Sequence, residues 1–237
     1  DHIRQMIVDF DLDLQDVEII DPRLEAHQAE REKYGELFYQ RRMRKGVNQT
    51  EAVRMMRERN YFGAMMVETG VADAMISGMT RNYAKVIRPG LQAIGPAKDV
   101  KTVCGMYIVQ TPNGPLFFAD TTVNVNPTAE QLVEITLLVS EAVQKLKISP
   151  RIAMVSYSNF GSAEGDDAAK VSKAVSILHE KHPHLIVDGD IQANFALNAE
   201  MRKEIFPFSK LSDARVNTLI FPNLSAGNSS YKLLQEI

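Results

Sequence analysis

The stretch TAEQLVEITLLVSEAVQKLKISPRIAMVSY, residues 128–157, decides the fold class. Thr128 with Gln131 three residues on is a capping box, in which two side chains satisfy orphan backbone N–H groups at a helix start. Apolar residues then recur at helical spacing to about Lys145, predicting one long helix. A short apolar run from 152 to 157 comes next and reads as a strand. The alternation continues downstream. The pattern predicts a helix over 167–181, a strand over 185–188, a helix over 192–205, a strand over 216–221 and a last helix over 227–237. Strands that alternate with helices argue for an α/β fold with a largely parallel sheet.

Upstream, Val103 to Val109 and Leu116 to Ala119 are β-rich and joined by Thr111-Pro112-Asn113-Gly114. That turn chemistry predicts an antiparallel hairpin. Pro96-Ala97-Lys98-Asp99 marks a boundary, giving a first α/β lobe over 1–96 and a second over 97–237. In the first lobe, residues 28–45 read as a helix with Tyr34, Phe38 and Arg42 on one face. Asn48 or Thr50 caps a second helix to about Arg59, and 60–70 is helical. Residues 72–76 suggest a short buried strand that ends at Ser77-Gly78, and a further helix surrounds Ile87, Leu91 and Ile94. The chain opens on Asp1 and stops inside a helical pattern at Leu233 to Ile237. Both ends suggest a piece of a longer protein, with the start of the first lobe and the end of the second outside it.

The 237 residues are 45% hydrophobic and 24% charged, an ordinary globular composition. Lys+Arg 27 against Asp+Glu 30 argues against nucleic-acid binding by bulk charge. One cysteine, Cys104, excludes a disulfide framework within the chain and suits a reducing, cytoplasmic setting. No apolar run approaches a spanning helix, so no membrane partner is expected. There is no P-loop, no G-x-G-x-x-G and no H-E-x-x-H, so no cofactor or metal is expected in this segment.

The loops after the strands carry the chemistry. Ser77, Gly78 and Thr80 come after the strand expected at 72–76. Ser156, at the end of the run over 152–157, leads into Ser158, Asn159, Gly161 and Ser162. Asp188-Gly189-Asp190 and then Asn223, Gly227 and Asn228 succeed the last two. Carboxyl ends of parallel strands share one rim, where ligands bind. Small hydroxylated and glycine-rich loops suit phosphate, although such residues also fill ordinary strand-to-helix turns. Between Arg41 and Arg59 stand seven Lys/Arg against two Glu. Arg42 continues the Tyr34–Phe38 stripe and should point inward, where it needs an anionic partner from the protein or a ligand. Arg88, among Ile87, Leu91 and Ile94, reads the same way.

Together these segments resemble the phosphate acetyltransferase (phosphotransacetylase) family. The resembling stretches are Tyr61 to Met66, Ala74 to Gly78, Ile87-Arg88-Pro89, Phe118-Ala119-Asp120, Asn126 to Leu132 and Ala153 to Ser158. They continue in Val187-Asp188-Gly189, Leu219 to Asn223 and Ala226-Gly227-Asn228 with Tyr231 to Gln235. Arg42 to Gly46, Asn159-Phe160 and Phe206 to Leu211 look most like the acetyltransferase-like domain fused to bacterial NADP-dependent malic enzymes. The resemblance implies two lobes of the isocitrate and isopropylmalate dehydrogenase kind with a cleft between them, CoA-ester binding and a homodimer or larger homo-oligomer. It implies that Arg42 and Arg88 neutralise phosphate or CoA, and that the loop residues named above line the ligand. NADP and a divalent metal would belong to an upstream malic-enzyme domain. Phe160 stands where the family usually has a Lys, and the family's late Ser-Arg-Gly segment is expected beyond Ile237.

The resemblance supports two main readings. The leading one is regulatory: a non-catalytic domain that senses acetyl-CoA in a malic enzyme, whose parent protein decarboxylates malate to pyruvate. The alternative is an active phosphate acetyltransferase that moves acetyl from CoA to phosphate. A structural dimerisation domain is the third.

Overall fold

A computed structural model describes residues 2–98 and 100–237. The chain divides into two compact units, residues 1–98 and 99–237.

Among the described residues of the first unit the regular elements are all helices. They include α1 (His2–Asp9), α2 (Gln28–Arg42), α3 (Gln49–Met55), α4 (Arg59–Glu68) and α5 (Tyr83–Ala93). Local sequence sets the starts. Asn48 Oδ1 accepts the Glu51 amide at 2.8 Å ahead of α3, and Asn82 Oδ1 accepts the Lys85 amide ahead of α5. Glu58 does the same for α4, taking the amides of Asn60 and Tyr61. Tyr34 and Phe38 of α2, Ala52 and Met56 by α3, Phe62 and Met65 of α4 and Ala93 of α5 close one core. The strand expected over 72–76 is absent. That segment is irregular, and Ile76 is fully exposed. Its apolar run has no neighbouring strand among the described residues, and an unpaired run cannot satisfy its backbone as a ladder.

The second unit is a five-stranded sheet between helices. It comprises β1 (Tyr107–Thr111), β2 (Gly114–Ala119), α6 (Ala129–Lys145), β3 (Ile152–Val155) and α7 (Asp166–Lys181). Next come β4 (Val187–Ile191), α8 (Ala193–Leu197), α9 (Ala199–Ile205), β5 (Thr218–Ile220) and α10 (Leu224–Glu236). The order is β1-β2-β5-β3-β4, with β1 and β2 an antiparallel hairpin and the other pairings parallel. The fold is thus α/β with a mixed, mostly parallel sheet. Alternate strand residues face opposite helical layers. Phe117, Ile152, Met154 and Ile220 pack on Leu132, Val139, Val171 and Leu178 of α6 and α7. Phe118, Ala153, Val155 and Leu219 pack on Ala196 of α8 and Tyr231 of α10. Burial on both faces explains why these strands read as continuous apolar runs.

The capping box is present, with Thr128 N donating to Gln131 Oε1 at 2.9 Å and Gln131 N to Thr128 Oγ1 at 3.2 Å. The helix expected over 192–205 is two helices, because Asn198 ends α8 and caps α9 through its side chain. The strand expected over 185–188 runs over 187–191 instead. The last helix starts at 224, three residues before the expected position, because Asn223 caps it.

Gly227 fixes how α10 meets the end of β2. A Cβ there would lie 2.3 Å from the Asp120 carbonyl oxygen. Gly90 in α5 has open space around it and an ordinary helical backbone. Gly227→Ala should therefore lower unfolding stability by about 1–3 kcal/mol through overpacking, and Thr128→Ala by about 1 kcal/mol through the lost cap. Gly90→Ala should raise it by about 0.5–1 kcal/mol, because Gly costs that much against Ala in a helix interior. Urea denaturation of the three variants checks the signs.

Candidate functional site

In the first unit, α2 and α5 bring cations around a phenol carried by α4. Tyr61 on α4 packs edge-on against Phe38 of α2 at 5.5 Å, which fixes the ring. Its hydroxyl donates to Gln92 Oε1 of α5 at 2.6 Å. A cavity of about 270 Å³ opens beside it, lined by Glu58, Tyr61, Arg81, Lys85, Arg88 and Pro89. Burial pushes the Tyr61 phenol up, the positive charges of Arg88 and Arg42 pull against this, and Glu58 adds to the rise. Both arginines therefore act on the same group.

Arg42 sits where the stripe places it. It is half-buried, and its Nε is buried with no hydrogen-bond partner. Neighbouring Arg41 is ion-paired with Glu68. Among the described residues no carboxylate pairs with Arg42 or Arg88. The inward position expected for Arg88 is corrected: Arg88 is exposed on the cavity rim. Pro89, next to it, takes the buried place on α5 instead.

Ser77, Gly78 and Thr80 line a second, larger cavity of about 540 Å³ with Arg59, Asn60, Gly63 and Met75. Arg59 donates to Thr80 Oγ1, and Ser77 Oγ donates to Asn60 Oδ1 at 2.8 Å. Asn60, buried on α4, also donates to the Lys85 carbonyl at 3.1 Å. It thus ties this loop to the helix that carries Arg88.

In the second unit the loops after β2, β3, β4 and β5 share the carboxyl edge of the sheet. Much of their polarity is spent on their own shape. Ser156 Oγ accepts the Ser158 amide, Ser158 Oγ the Ala163 amide, and Ser162 Oγ the Asn159 amide. Asn159 Oδ1 accepts the Gln192 amide at 2.9 Å. Gly161 has φ +85° and nothing near its missing Cβ, so it is the open point of the loop. Asn223 caps α10 and donates to Asp167 Oδ2, and Asn228 donates to the Thr121 carbonyl. With Gly227 packed on Asp120, these three residues brace the rim from behind.

Two carboxylates in segments the sequence singled out, Asp120 and Asp190, are buried, and the sequence did not show how each is partnered. Asp120 accepts the amides of Gly105, Thr122, Val123 and Asn124, plus the Asn124 side chain. It thereby folds the loop after β2. Asp190 is 1% exposed, and its Oδ2 has no hydrogen-bond partner. Asp120 directly follows Ala119 at the end of β2, and Asp190 lies within β4 beside Ile191, so each adjoins an apolar strand residue.

Among the described residues no group of three His, Cys, Asp or Glu could hold a metal, and no helix is long and apolar enough to cross a membrane. Burial, helped by the Asp120 charge, pushes the Cys104 thiol up to about 12. At pH 8 only about one thiol in ten thousand is then the reactive thiolate. Iodoacetamide at pH 8 should leave Cys104 almost unmodified in the folded protein and label it readily in urea. Fast labelling of the folded chain would contradict its partial burial beside Asp120.

The profile of the family described as Phosphate acetyl/butaryl transferase matches residues 1–237. A phosphate acetyltransferase of Clostridium acetobutylicum is 35% identical over 240 residues, covering 98% of this chain and 71% of that protein. An NADP-dependent malic enzyme of Haemophilus influenzae is 37% identical over 199 residues, covering 84% of this chain and 26% of that one. Among solved structures, a phosphotransacetylase from Streptococcus pyogenes superposes with a TM-score of 0.85 at 32% identity, over 99% of this chain and 70% of that one. The EutD phosphotransacetylase from Staphylococcus aureus gives 0.81 at 28% identity, over 99% and 71%. The chain belongs to the phosphate acetyl/butaryl transferase family.

Proposed function

We propose that this chain serves acetyl transfer between CoA and phosphate, and that Arg42 and Arg88 hold the phosphoryl oxygens. One observation carries the reading: a buried guanidinium N–H on Arg42 with no partner, beside a phenol that also feels Arg88. A donor left unpaired costs free energy unless a ligand fills it. Phosphate, whose oxygens accept from guanidinium forks, is the ligand this reaction supplies.

In the proposed step a phosphate oxygen attacks the thioester carbonyl carbon of acetyl-CoA. The new C–O bond forms as the C–S bond breaks, giving acetyl phosphate and CoA, whose thiolate takes up a proton. Arg42 and Arg88 place the nucleophile and neutralise its charge against the negative CoA tail. Arg59 and the Ser77–Thr80 loop offer further donors in the same unit.

This reverses the order of the two sequence readings. Relatives that span nearly the whole chain carry the phosphate acetyltransferase name, and the malic enzyme match covers a quarter of its protein. One observation keeps the regulatory reading as second. Phe160 lies 5.0 Å from both Phe206 and Phe208, so two of the features that resemble the fused domain form one aromatic cluster. That reading expects acetyl-CoA to change malate turnover in a full-length fusion, and an unchanged rate would remove it.

Arg42→Gln and Arg88→Gln should each raise the KM for phosphate about 10- to 100-fold, the loss of one charge-assisted hydrogen bond. Circular dichroism should stay as in the parent. Parent-like kinetics in both variants would reject the assignment and favour a structural role.

A further inference from the structure

The first unit carries a second basic groove away from Tyr61. It exists because α2 and α3 approach closely. A Cβ on Gly35 would lie 2.7 Å from Val53 Cα, so only glycine permits the contact. The approach sets Gln28, Arg31 and Glu32, spaced i, i+3, i+4 on α2, beside Thr50 and Arg54 of α3 and Arg57 just past it. With Val53 these residues line a cavity of about 360 Å³.

The charge in this groove is unbalanced. Arg31 is 6% exposed, and its partners are the carbonyls of Pro22 and Leu24. Arg57 donates to the Arg23 carbonyl. Among the described residues no carboxylate is ion-paired with Arg31, Arg54 or Arg57. Glu32 is the one acid on the lining, and its Oε1 accepts from Gln28. A buried guanidinium held by neutral carbonyls alone lacks a counter-charge, and burial without one is costly.

We infer that this groove binds a phosphoryl group, separately from the Arg42–Tyr61–Arg88 site. Guanidinium groups from two helices, with the Thr50 hydroxyl and the Gln28 amide, suit a tetrahedral dianion approached from several sides. The cavity has room for a small organic remainder as well as the phosphoryl head. Occupancy ties the 21–24 loop, which Arg31 and Arg57 already hold, to α3.

Guanidinium Nε–H resonances of the full chain, followed by ¹⁵N–¹H spectroscopy, test this. The probes are inorganic phosphate and glycerol 1-phosphate, with sodium chloride at matched ionic strength as control. Arg31→Lys identifies the Arg31 resonance by its loss. The Arg31 resonance should shift saturably with phosphate in the parent. In the Arg54→Gln/Arg57→Gln double variant, half-saturation should need about tenfold more, and in Arg42→Gln it should be unchanged. A stronger response to glycerol 1-phosphate assigns an organic phosphate, and an equal one assigns free phosphate. A stationary Arg31 resonance, an equal shift with chloride, or an undiminished response in the double variant overturns the inference.

Discussion

A guanidinium that the fold draws inward without giving it a counter-charge is the constraint on which the first unit turns. Tyr34 and Phe38 are buried on α2, and helical periodicity carries Arg42 along the same stripe. The apolar packing of that stripe offsets the cost of bringing the charge inward. No carboxylate then relieves it, although Glu68 is close enough to pair with Arg41 one residue away. A cation kept half-buried and unpaired is poorly suited to stability and well suited to an anion that comes and goes.

The second unit solves a different problem, which is to hold short loops still. Its rim hydroxyls and amides close on neighbouring backbone, Asp120 gathers the amides of the loop after β2, and Gly227 lets α10 seat against that loop. Groups already ordered lose little further entropy when a ligand arrives. The rim residues therefore divide into those that shape the loops and an open point at Gly161.

Local rules made much of this legible. The Thr128–Gln131 box, the Pro112-Asn113 turn and the apolar strands each specify their structure within a few residues, so helix, hairpin and sheet could be read directly. Residues 72–76 could not, because an apolar run becomes a strand only if a partner lies beside it, and pairing is a long-range fact. Arg88 misled for a similar reason. Its apolar neighbours fixed the helix but not which side of it faces out, and the buried place went to Pro89. Arg31 stands three residues before Tyr34 on the same buried stripe of α2, a periodicity that was read toward Arg42 and not back to Arg31. Its burial depends on Gly35 meeting Val53 across two helices. Asp120 and Asp190 lay beside apolar strand residues, but only tertiary packing shows that one is saturated with donors and the other short of one.

The claim that Arg42 is an anion receptor is most directly tested by locating an anion on it. Crystals of this protein soaked in tungstate, a tetrahedral stand-in for phosphate, yield an anomalous map that places the heavy atom. The account predicts a peak whose oxygens reach Arg42 Nε at about 3 Å, hydrogen-bonding distance. Peaks elsewhere on the molecule with none at Arg42 would contradict it.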